Sequence, residues 1–253
     1  MTRIVIVHPG EMGAAVGGAL TAIGHDVFWM PAGRGRQTRI RAENAGLQEC
    51  RDASACDVVM SICPPAFAVS AALSVGPFEG IYVDANAVSP RVAEKVRGIV
   101  RGLGAEYVDG GLIGPPPMRA GTTRLYLSGR RAGTIAADFA DSRIEANVLD
   151  GGDFAASGLK MTYAAWTKIS AALVLAARSA AAELGVESEL IAEWARSQPG
   201  LSDRHQAALA DAATKGWRWK EEMEQISLTF ADAGQPGEFG WAAAQVFGRW
   251  PRP

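Results

Sequence analysis

The first 150 residues alternate short β-like runs with helical patterns, and this alternation is the feature that most constrains the fold. The runs are rich in Val, Ile and Tyr and are bounded by Gly, Pro or Asp. They predict strands at Arg3–Val7, Val27–Met30, Val58–Ile62, Ile81–Asp84, Glu106–Val108, Arg124–Ser128 and Ala146–Leu149. Helical patterns separate the early strands, at Met12–Ile23, Thr38–Asn44, Ala66–Leu73 and Pro90–Leu103. Such alternation indicates right-handed βαβ units, which build a doubly wound, mainly parallel α/β sheet.

The chain changes character after Gly151–Gly152. No strand pattern recurs, and the alanine-rich stretch Phe154–Leu184 predicts one long helix that Gly185 ends. Shorter helices are predicted further on, at Glu187–Ser197, Ser202–Thr214, Trp217–Ala233 and Phe239–Arg249. We therefore expect an α/β domain at residues 1–150 and an all-α C-terminal domain at residues 151–253, with the long helix as the interdomain element.

Composition excludes several classes of protein. The 253 residues are 48% hydrophobic and 21% charged, which is enough apolar content for packed cores. The formal net charge of −2 gives no electrostatic case for a nucleic-acid partner. No apolar stretch is long enough for an export signal or a membrane span, and Cys50, Cys56 and Cys63 lack zinc-ligand spacing. We expect a cytoplasmic protein with reduced thiols, without a metal and without membrane contact.

A glycine-containing loop, His8-Pro9-Gly10-Glu11-Met12-Gly13, follows the first predicted strand. The Rossmann fingerprint places Gly-x-Gly-x-x-Gly at such a strand-to-helix turn. Gly10 and Gly13 fit its second and third glycines, which admit the pyrophosphate and let helix and strand pack closely. His8 stands in the place of the first glycine, where it either touches the pyrophosphate or has no function. The loop predicts a dinucleotide site, and a plain strand–helix turn is the alternative.

The end of the second predicted strand favours NADP over NAD. An NAD-preferring site carries Asp or Glu there, whereas Met30–Gly33 contains no acid and is followed by four arginines, Arg34, Arg36, Arg39 and Arg41. A planar guanidinium matches the oxygens of a 2′-phosphate. The predicted cofactor is therefore NADP (NADPH), with Arg34 and Arg36 as the best candidates, and a solvated basic helix face is the alternative.

These motifs resemble the β-hydroxyacid dehydrogenases, the group that includes 3-hydroxyisobutyrate dehydrogenase and the cofactor domain of 6-phosphogluconate dehydrogenase. Gly10–Gly13 is similar to the family's Gly-x-Met-Gly, and Arg34 falls where NADP-using members carry an arginine. The segment ending in Cys63-Pro64 matches the strand end that touches the cofactor, and Asp84–Pro90 resembles a substrate loop. The cofactor-binding set expected from motifs and resemblance together is Pro9, Gly10, Glu11, Met12, Gly13, Arg34, Arg36, Cys63, Pro64 and Asn86.

The resemblance extends to the second half of the chain. Asp109–Gly114 is similar to the second substrate segment, and Ser157–Lys160 sits where the family places its catalytic lysine, at the start of the long helix. The substrate contacts that the resemblance implies are Asn86, Ile113, Gly114, Lys160, Tyr163 and Ala164. Trp217–Ile226 looks like a subgroup that carries a C-terminal domain of unknown function of the DUF1932 type. Asp84–Ala87 and Lys160–Ala165 also fit that subgroup better than the main family.

Four departures from the family pattern bear on the substrate. His8 replaces a glycine, Asn86 and Ile113 replace serines, and Ala164 replaces an asparagine. Each change removes or alters a polar contact, which argues against a simple 3-hydroxy acid. Asn86 either orients substrate or cofactor or satisfies turn backbone. Gly114 either lets substrate approach the backbone or allows a tight turn. Tyr163 either lines the substrate pocket or packs in the hydrophobic core.

Lys160 is the catalytic residue that the resemblance implies. A lysine at a domain junction loses hydration, which lowers its pKa toward the working range of an acid–base group. Its acid form would protonate the developing alkoxide during reduction, and its neutral form would take the hydroxyl proton in the reverse direction. The alternative is an exposed helix lysine. Lys168, two helical turns on, is expected at the surface or at a helix cap.

The sequence thus predicts an NADP-dependent oxidoreductase that moves a hydride between NADP(H) and a small polar hydroxy or carbonyl substrate. An imine reductase-like enzyme, a non-catalytic dinucleotide-binding module and a helical interaction protein remain alternatives. A short helical domain leaves apolar surface on the long helix, so we expect a homodimer that packs through the C-terminal helices.

Overall fold

A computed structural model describes residues 1–250 of the chain. Contacts between Cα atoms divide the chain into two compact units, Met1–Lys160 and the residues from Met161 onward. The division falls inside the long helix, which begins at Ala155, whereas the sequence places the change of character near residue 150.

The first unit combines a sheet with short helices. Its strands are β1 (Arg3–Ile6), β2 (Asp26–Trp29), β3 (Gln48–Glu49), β4 (Val58–Ser61), β5 (Ile81–Asp84), β6 (Glu106–Ile113), β7 (Thr123–Ser128) and β8 (Ile144–Val148). Its helices are α1 (Glu11–Thr21), α2 (Arg36–Asn44), α3 (Ala68–Ser74), α4 (Pro90–Gly102) and α5 (Ala132–Asp138). A 3₁₀ turn, Pro65–Phe67, precedes α3.

The strands of the first unit form one sheet in the order β3-β2-β1-β4-β5-β6-β7-β8. Neighbouring strands run parallel, except for the antiparallel pair β6 and β7. Ile4 and Ile6 of β1 pack into one core and Val5 and Val7 into another, so both faces of the sheet are covered. Strand order reverses at β1, and open α/β sheets bind ligands at the carboxyl ends of the strands beside such a switch point. The predicted doubly wound α/β fold is confirmed.

The second unit is helical, as predicted. It contains the greater part of α6 (Ala155–Glu183), together with α7 (Glu187–Ser197), α8 (Leu201–Asp232) and α9 (Glu238–Phe247). The Trp219 and Phe247 rings meet edge to face with centroids 4.9 Å apart, which packs α8 against α9. Lys168 is ion-paired with Glu222 at 2.5 Å, and both side chains are largely buried. The prediction that Lys168 lies at the surface is therefore wrong, because Glu222 compensates its buried charge.

Four elements differ from the sequence-based prediction, two of them because of glycine. The exposed two-residue strand β3 and the short helix α5 were not predicted. Strand β6 continues through Gly110 and Gly111, where a Cβ on Gly111 would lie 2.8 Å from the Ala156 carbonyl oxygen. Helix α8 is continuous where two helices were predicted. It runs through the buried Gly216, where an added Cβ would lie only 3.2 Å from the Cβ of Trp250. Both glycines serve close packing and do not break the element.

The turn from β1 into α1 depends on one backbone contact. A Cβ added to Gly13 would lie 2.3 Å from the carbonyl oxygen of His8 and 3.3 Å from the Ile6 side chain. Real Cβ atoms do not approach carbonyl oxygens so closely, so glycine is required for α1 to start directly against the end of β1. The His8 carbonyl also accepts a hydrogen bond of 2.8 Å from the Gly10 amide, which closes the turn.

Two buried carboxyl groups stand side by side at the carboxyl edge of the sheet. Asp84 and Asp109 are register partners on the parallel strands β5 and β6, and both are fully buried. Burial, followed by the neighbouring charge of Asp109, raises the pKa of Asp84 to about 7. Burial also raises the pKa of Asp109 to about 6, although hydrogen bonds from Ser157 and Ser128 act in the opposite direction.

Gly13→Ala should destabilise the first unit, because the new Cβ forces the His8 carbonyl away from α1. We expect the free energy of unfolding to fall by about 1–3 kcal/mol, as for other overpacked sites. The matched control is Gly98→Ala in the middle of α4, where a Cβ would meet nothing within 4 Å. This control should be neutral or stabilising by up to ~1 kcal/mol. Chemical denaturation of both variants checks the prediction, and equal stabilities would contradict it.

Asp84→Asn should change how stability depends on pH. The pKa of Asp84 in the folded chain lies above its ordinary value of 3.8. Its contribution to stability is therefore complete at low pH and is lost as the pH rises through about 7. Relative to the variant, the wild type should lose on the order of 1 kcal/mol or more of unfolding free energy between about pH 5 and pH 8. Urea denaturation across this range measures the difference, and a difference that stays flat or grows with pH would contradict the prediction.

Candidate functional site

The loop between β1 and α1 presents an uncapped helix N-terminus. Gly10 is the N-cap residue of α1, and no side chain caps the helix. A Cβ on Gly10 would meet nothing within 4 Å, so the backbone there is open to a ligand. Free amide groups and the helix dipole make such an end an anion site. Pro9 is buried, Glu11 is exposed and Met12 packs partly against the core. The backbone is thus open at Gly10 and tightly packed at Gly13.

Arg34 lies just beyond β2 and beside this loop. Its amide donates a 3.0 Å hydrogen bond to the Pro31 carbonyl, and Gly33 adopts a positive φ of 72° that allows the tight turn. Arg34 is partly buried, and its Nε is a buried donor without a hydrogen-bond partner. Burial lowers the pKa of Arg34. Arg36 is exposed in the first turn of α2, whose N-cap Gly35 provides no side-chain cap.

The other two arginines of the cluster are engaged within the chain. Arg39 pairs with Glu49 and lies over the Trp29 ring. Arg41 donates from Nε to the Pro9 carbonyl at 3.4 Å, which ties α2 to the loop before α1. Positive charge at a helix N-terminus is unfavourable unless an anion compensates it. The arrangement therefore leaves Arg34 and Arg36 as the guanidinium groups suited to a phosphate, the same two that the sequence favours.

Asn86 links the loops that follow β4 and β5. Its side-chain oxygen accepts a 2.7 Å hydrogen bond from the Cys63 amide. Its Nδ2 donates to Asp84 at 2.6 Å and to Ser61 at 3.0 Å. Because both donors and the acceptor are used inside the protein and the residue is buried, the structure favours the alternative in which Asn86 holds the turn.

Cys63 and Pro64 lie where β4 ends, next to this network. Burial raises the pKa of the Cys63 thiol to about 12, so the residue stays a neutral thiol. Pro64 is exposed and precedes the 3₁₀ turn. Among the described residues 1–250, no group of three or more His, Cys, Asp or Glu could hold a metal ion.

The start of α6, which carries Lys160, is fixed by Asp109. The Asp109 carboxylate accepts hydrogen bonds from the Ser157 amide at 2.7 Å and from the Ser157 hydroxyl at 2.5 Å. Ser128 accepts a 3.0 Å hydrogen bond from the Ala156 amide. These contacts satisfy amide groups that a helix N-terminus otherwise leaves without partners. Lys160 is partly buried one turn further along the helix.

Gly111 allows α6 to lie directly on β6. A Cβ on Gly111 would come 3.1 Å from the Lys160 Cβ and 2.8 Å from the Ala156 carbonyl oxygen. Lys160 is therefore held against the strand that continues into Ile113 and Gly114. The sequence singles out Lys160 but not Gly111 or Asp109 as site residues.

The remaining predicted substrate residues have varied environments. Ile113 ends β6 and is buried. Gly114 has a φ of 120°, and its Cβ would lie 2.2 Å from the Thr122 carbonyl, so the turn alone accounts for this glycine. Tyr163 and Ala164 follow Lys160 on α6, the first 47% exposed and the second buried.

Sequence reasoning gave no individual role to the buried polar residues that support the site. They lie at the ends of β4, β5 and β7, on β6 beside Asp84, or at the start of α6: Ser61, Asp84, Asp109, Ser128 and Ser157. A signal was available, because a polar residue that ends an apolar strand in a parallel sheet lies at the ligand-binding edge.

Comparisons with known proteins identify a family match and related folds. Residues 181–250 match the family described as "Domain of unknown function (DUF1932)". No curated protein matches the chain. Conserved protein MTH1747, of unknown function and described as similar to 3-hydroxyacid dehydrogenases, shares 24% identity with a TM-score of 0.74, over 98% of this chain and 96% of that one.

Two further solved structures carry functional names. Mycobacterium tuberculosis 3-hydroxyisobutyrate dehydrogenase with L-serine shares 19% identity, with a TM-score of 0.70 over 98% of this chain and 93% of that one. Psf3 in complex with NADP+ and 2-OPP shares 20% identity, with a TM-score of 0.68 over 97% and 93% of the two chains.

Among the described residues 1–250, no helix combines the length and the apolarity needed to cross a membrane. The chain has the fold of the 3-hydroxyacid dehydrogenases, and its residues 181–250 match the DUF1932 family model.

Proposed function

We propose that this protein is an NADP-dependent oxidoreductase that transfers a hydride between NADP(H) and a small polar hydroxy or carbonyl substrate. The observation that carries the proposal is the pairing of an open, uncapped helix N-terminus at Gly10 with the guanidinium of Arg34, whose buried Nε has no hydrogen-bond partner. Both lie at the carboxyl ends of adjacent strands, β1 and β2. The nicotinamide cofactor supplies the hydride chemistry when it is bound.

The residues fit a 2′-phosphorylated dinucleotide. The turn Pro9–Gly13 suits the pyrophosphate, because Gly10 leaves the backbone open and the helix end favours negative charge. Arg34 and Arg36 offer planar donors for a 2′-phosphate, at a position where an NAD-preferring site carries an acid. The Psf3 structure, which contains NADP+ on the same fold, supports this choice. Cys63 and Pro64 complete the proposed cofactor side of the site, and Asn86 holds the turn beside them through the hydrogen bond that it accepts from the Cys63 amide.

Lys160 is the proposed general acid and base. In reduction its ammonium group would give a proton to the substrate oxygen, and in oxidation its neutral amine would accept the hydroxyl proton. Two observations support this role: the residue is partly buried, and the helix turn that carries it is anchored by Asp109. A proton donor must stay within hydrogen-bond reach of the reacting oxygen. The hydrogen bonds to Asp109 fix the helix turn that carries Lys160.

The proposed substrate contacts are Asn86, Ile113, Gly114, Lys160, Tyr163 and Ala164. Ile113 and Ala164 are apolar and buried, and the Asn86 amide is already committed to Cys63 and Asp84. These residues offer few polar groups to a substrate carboxylate. We therefore favour a carbonyl or alcohol less polar than a 3-hydroxy acid, and imine reduction on the same scaffold is the alternative chemistry. The free thiols suit the reducing cytoplasm, where we expect the protein to act.

Nucleotide titration followed by a substrate panel tests the proposal. The purified chain should bind NADPH more tightly than NADH and should oxidise NADPH with a member of a carbonyl and cyclic-imine panel. Lys160→Ala should lower turnover by about 100-fold or more, as expected for loss of general acid catalysis, while NADPH affinity stays unchanged. Lys95→Ala, at an exposed lysine of α4, is the control and should keep full turnover.

Two results would reject parts of this function. Binding of NADPH without any turnover, and without any effect of Lys160→Ala, would indicate a non-catalytic dinucleotide-binding module. Failure to bind either nucleotide would reject the oxidoreductase altogether and favour a helical interaction protein.

We also propose a homodimer formed by the C-terminal helices. Helix α6 exposes the large apolar side chains of Trp166 (74% exposed) and Leu173 (68% exposed), and Leu184, just after the helix, is 76% exposed. Residues seven apart share one face of a helix, so Trp166 and Leu173 form one patch. A patch of this kind in water is costly, and a second copy of the chain would cover it.

Sedimentation velocity at micromolar concentration should give a dimer for the wild type. Leu173→Glu should shift the chain toward monomer, because dimerisation would then bury a charge. Met118→Glu, at an exposed methionine in the first unit, should leave the dimer intact. A monomeric wild type would contradict this proposal and leave the proposed chemistry untouched.

A further inference from the structure

His8 occupies the place of the first fingerprint glycine, and its side chain is a partly buried group that the proposed function does not use. The Nδ1 atom of His8 is buried without a hydrogen-bond partner, and so is the Nε atom of Arg34. Buried polar atoms in folded proteins nearly always have partners. Two such atoms at neighbouring strand ends therefore call for a common explanation.

The two residues are neighbours at the carboxyl edge of the sheet. His8 lies two residues beyond the end of β1, and Arg34 follows the end of β2, the strand that pairs with β1 through Ile6 and Trp29. The positive charge of Arg34 acts on the imidazole and, after burial, is the second cause of the lowered pKa of His8. No intervening strand separates the two side chains.

The two unpartnered nitrogens are chemically complementary. A guanidinium Nε–H can only donate a hydrogen bond, whereas a neutral imidazole has one nitrogen that accepts. Burial and the Arg34 charge hold the pKa of His8 at about 4, so the ring is neutral at physiological pH. The nearby Cys63 thiol is only a weak acceptor, because burial keeps it protonated and without charge.

The backbone of residue 8 cannot replace the side chain in this role. Its carbonyl oxygen already accepts a 2.8 Å hydrogen bond from the Gly10 amide and lies directly against Gly13. A glycine at position 8 would therefore provide no acceptor for Arg34. The substitution of histidine for glycine adds the one group that this place otherwise lacks.

We propose that His8 is a positioning residue for Arg34, whose Nε donates to His8 Nδ1 when a 2′-phosphate draws the guanidinium Nη groups to itself. The inference rests on the proposed NADP-dependent function and names the residue that sets its selectivity for the phosphorylated dinucleotide. A guanidinium held through Nε presents its two Nη groups together, which is the geometry of a bidentate phosphate contact. The departure from the glycine fingerprint is then a selectivity device.

Direct binding measurements with NADPH and NADH test this role without any need for turnover. The variants are His8→Gly, which restores the fingerprint, His8→Leu, which keeps side-chain bulk without an acceptor, and His8→Asn, whose Oδ1 can take the place of Nδ1. His8→Gly and His8→Leu should weaken NADPH binding by about 3- to 10-fold, the range for one hydrogen bond. NADH binding should change less than about twofold, and His8→Asn should retain most of the NADPH preference.

A double-mutant cycle with Arg34→Ala separates positioning from a general structural effect. If His8 acts through Arg34, then His8→Leu should change NADPH affinity no further in the Arg34→Ala background. Thermal denaturation identifies any variant that fails to fold. If His8→Gly does not fold, the His8→Leu and His8→Asn variants still test the inference.

Three results would overturn the inference while leaving the proposed function in place. They are unchanged NADPH affinity in His8→Leu, an equal loss for NADPH and NADH, and additive effects of His8→Leu and Arg34→Ala. A wild-type chain that binds neither nucleotide overturns both the inference and the proposed function.

Discussion

The close contact between Gly13 and the carbonyl of His8 is the constraint on which the remaining site geometry depends. Because α1 starts directly against the end of β1, its N-terminus faces the edge of the sheet where the strand order reverses. The open backbone at Gly10 and the guanidinium beyond β2 then lie at adjacent strand ends. A bulkier residue at position 13 would push α1 away from the end of β1. The N-terminus of α1 would then lie further from a ligand at this edge, and the helix dipole favours an anion only within the first turn.

The fold was predictable from the sequence to the extent that periodicity and glycine placement carry it. Alternation in the first 150 residues predicts the doubly wound sheet, and the alanine-rich stretch predicts α6. The errors in β6 and α8 arise because glycine either ends an element or allows close packing inside one. Gly111 and Gly216 look like interruptions, yet each sits inside an element because a neighbouring backbone or ring passes close by. That neighbour is distant in sequence, so no local pattern could reveal it.

The motifs of the candidate site are visible in the sequence, whereas the residues that support them are not. Gly10, Gly13, Arg34 and Lys160 stand out because spacing or resemblance marks them. Asp109 and Ser157 do not, since their partnership spans 48 residues and is created by the sheet register. For Asn86 the sequence leaves two roles open, and only the hydrogen bonds to Cys63, Asp84 and Ser61 favour one of them. Long-range polar pairing is the part of such a site that a single sequence conceals.

The residues that anchor the start of α6 differ from the proposed substrate contacts. The height of Lys160 above β6 is set by backbone packing on Gly111 and by the Asp109 carboxylate. It does not depend on the chemical character of positions 113 or 164. Those positions can therefore exchange serine or asparagine for isoleucine or alanine without displacing the amine. Under the proposed function, such a scaffold would tolerate changes in the substrate contacts, because the residues that fix the place of Lys160 are not among those contacts.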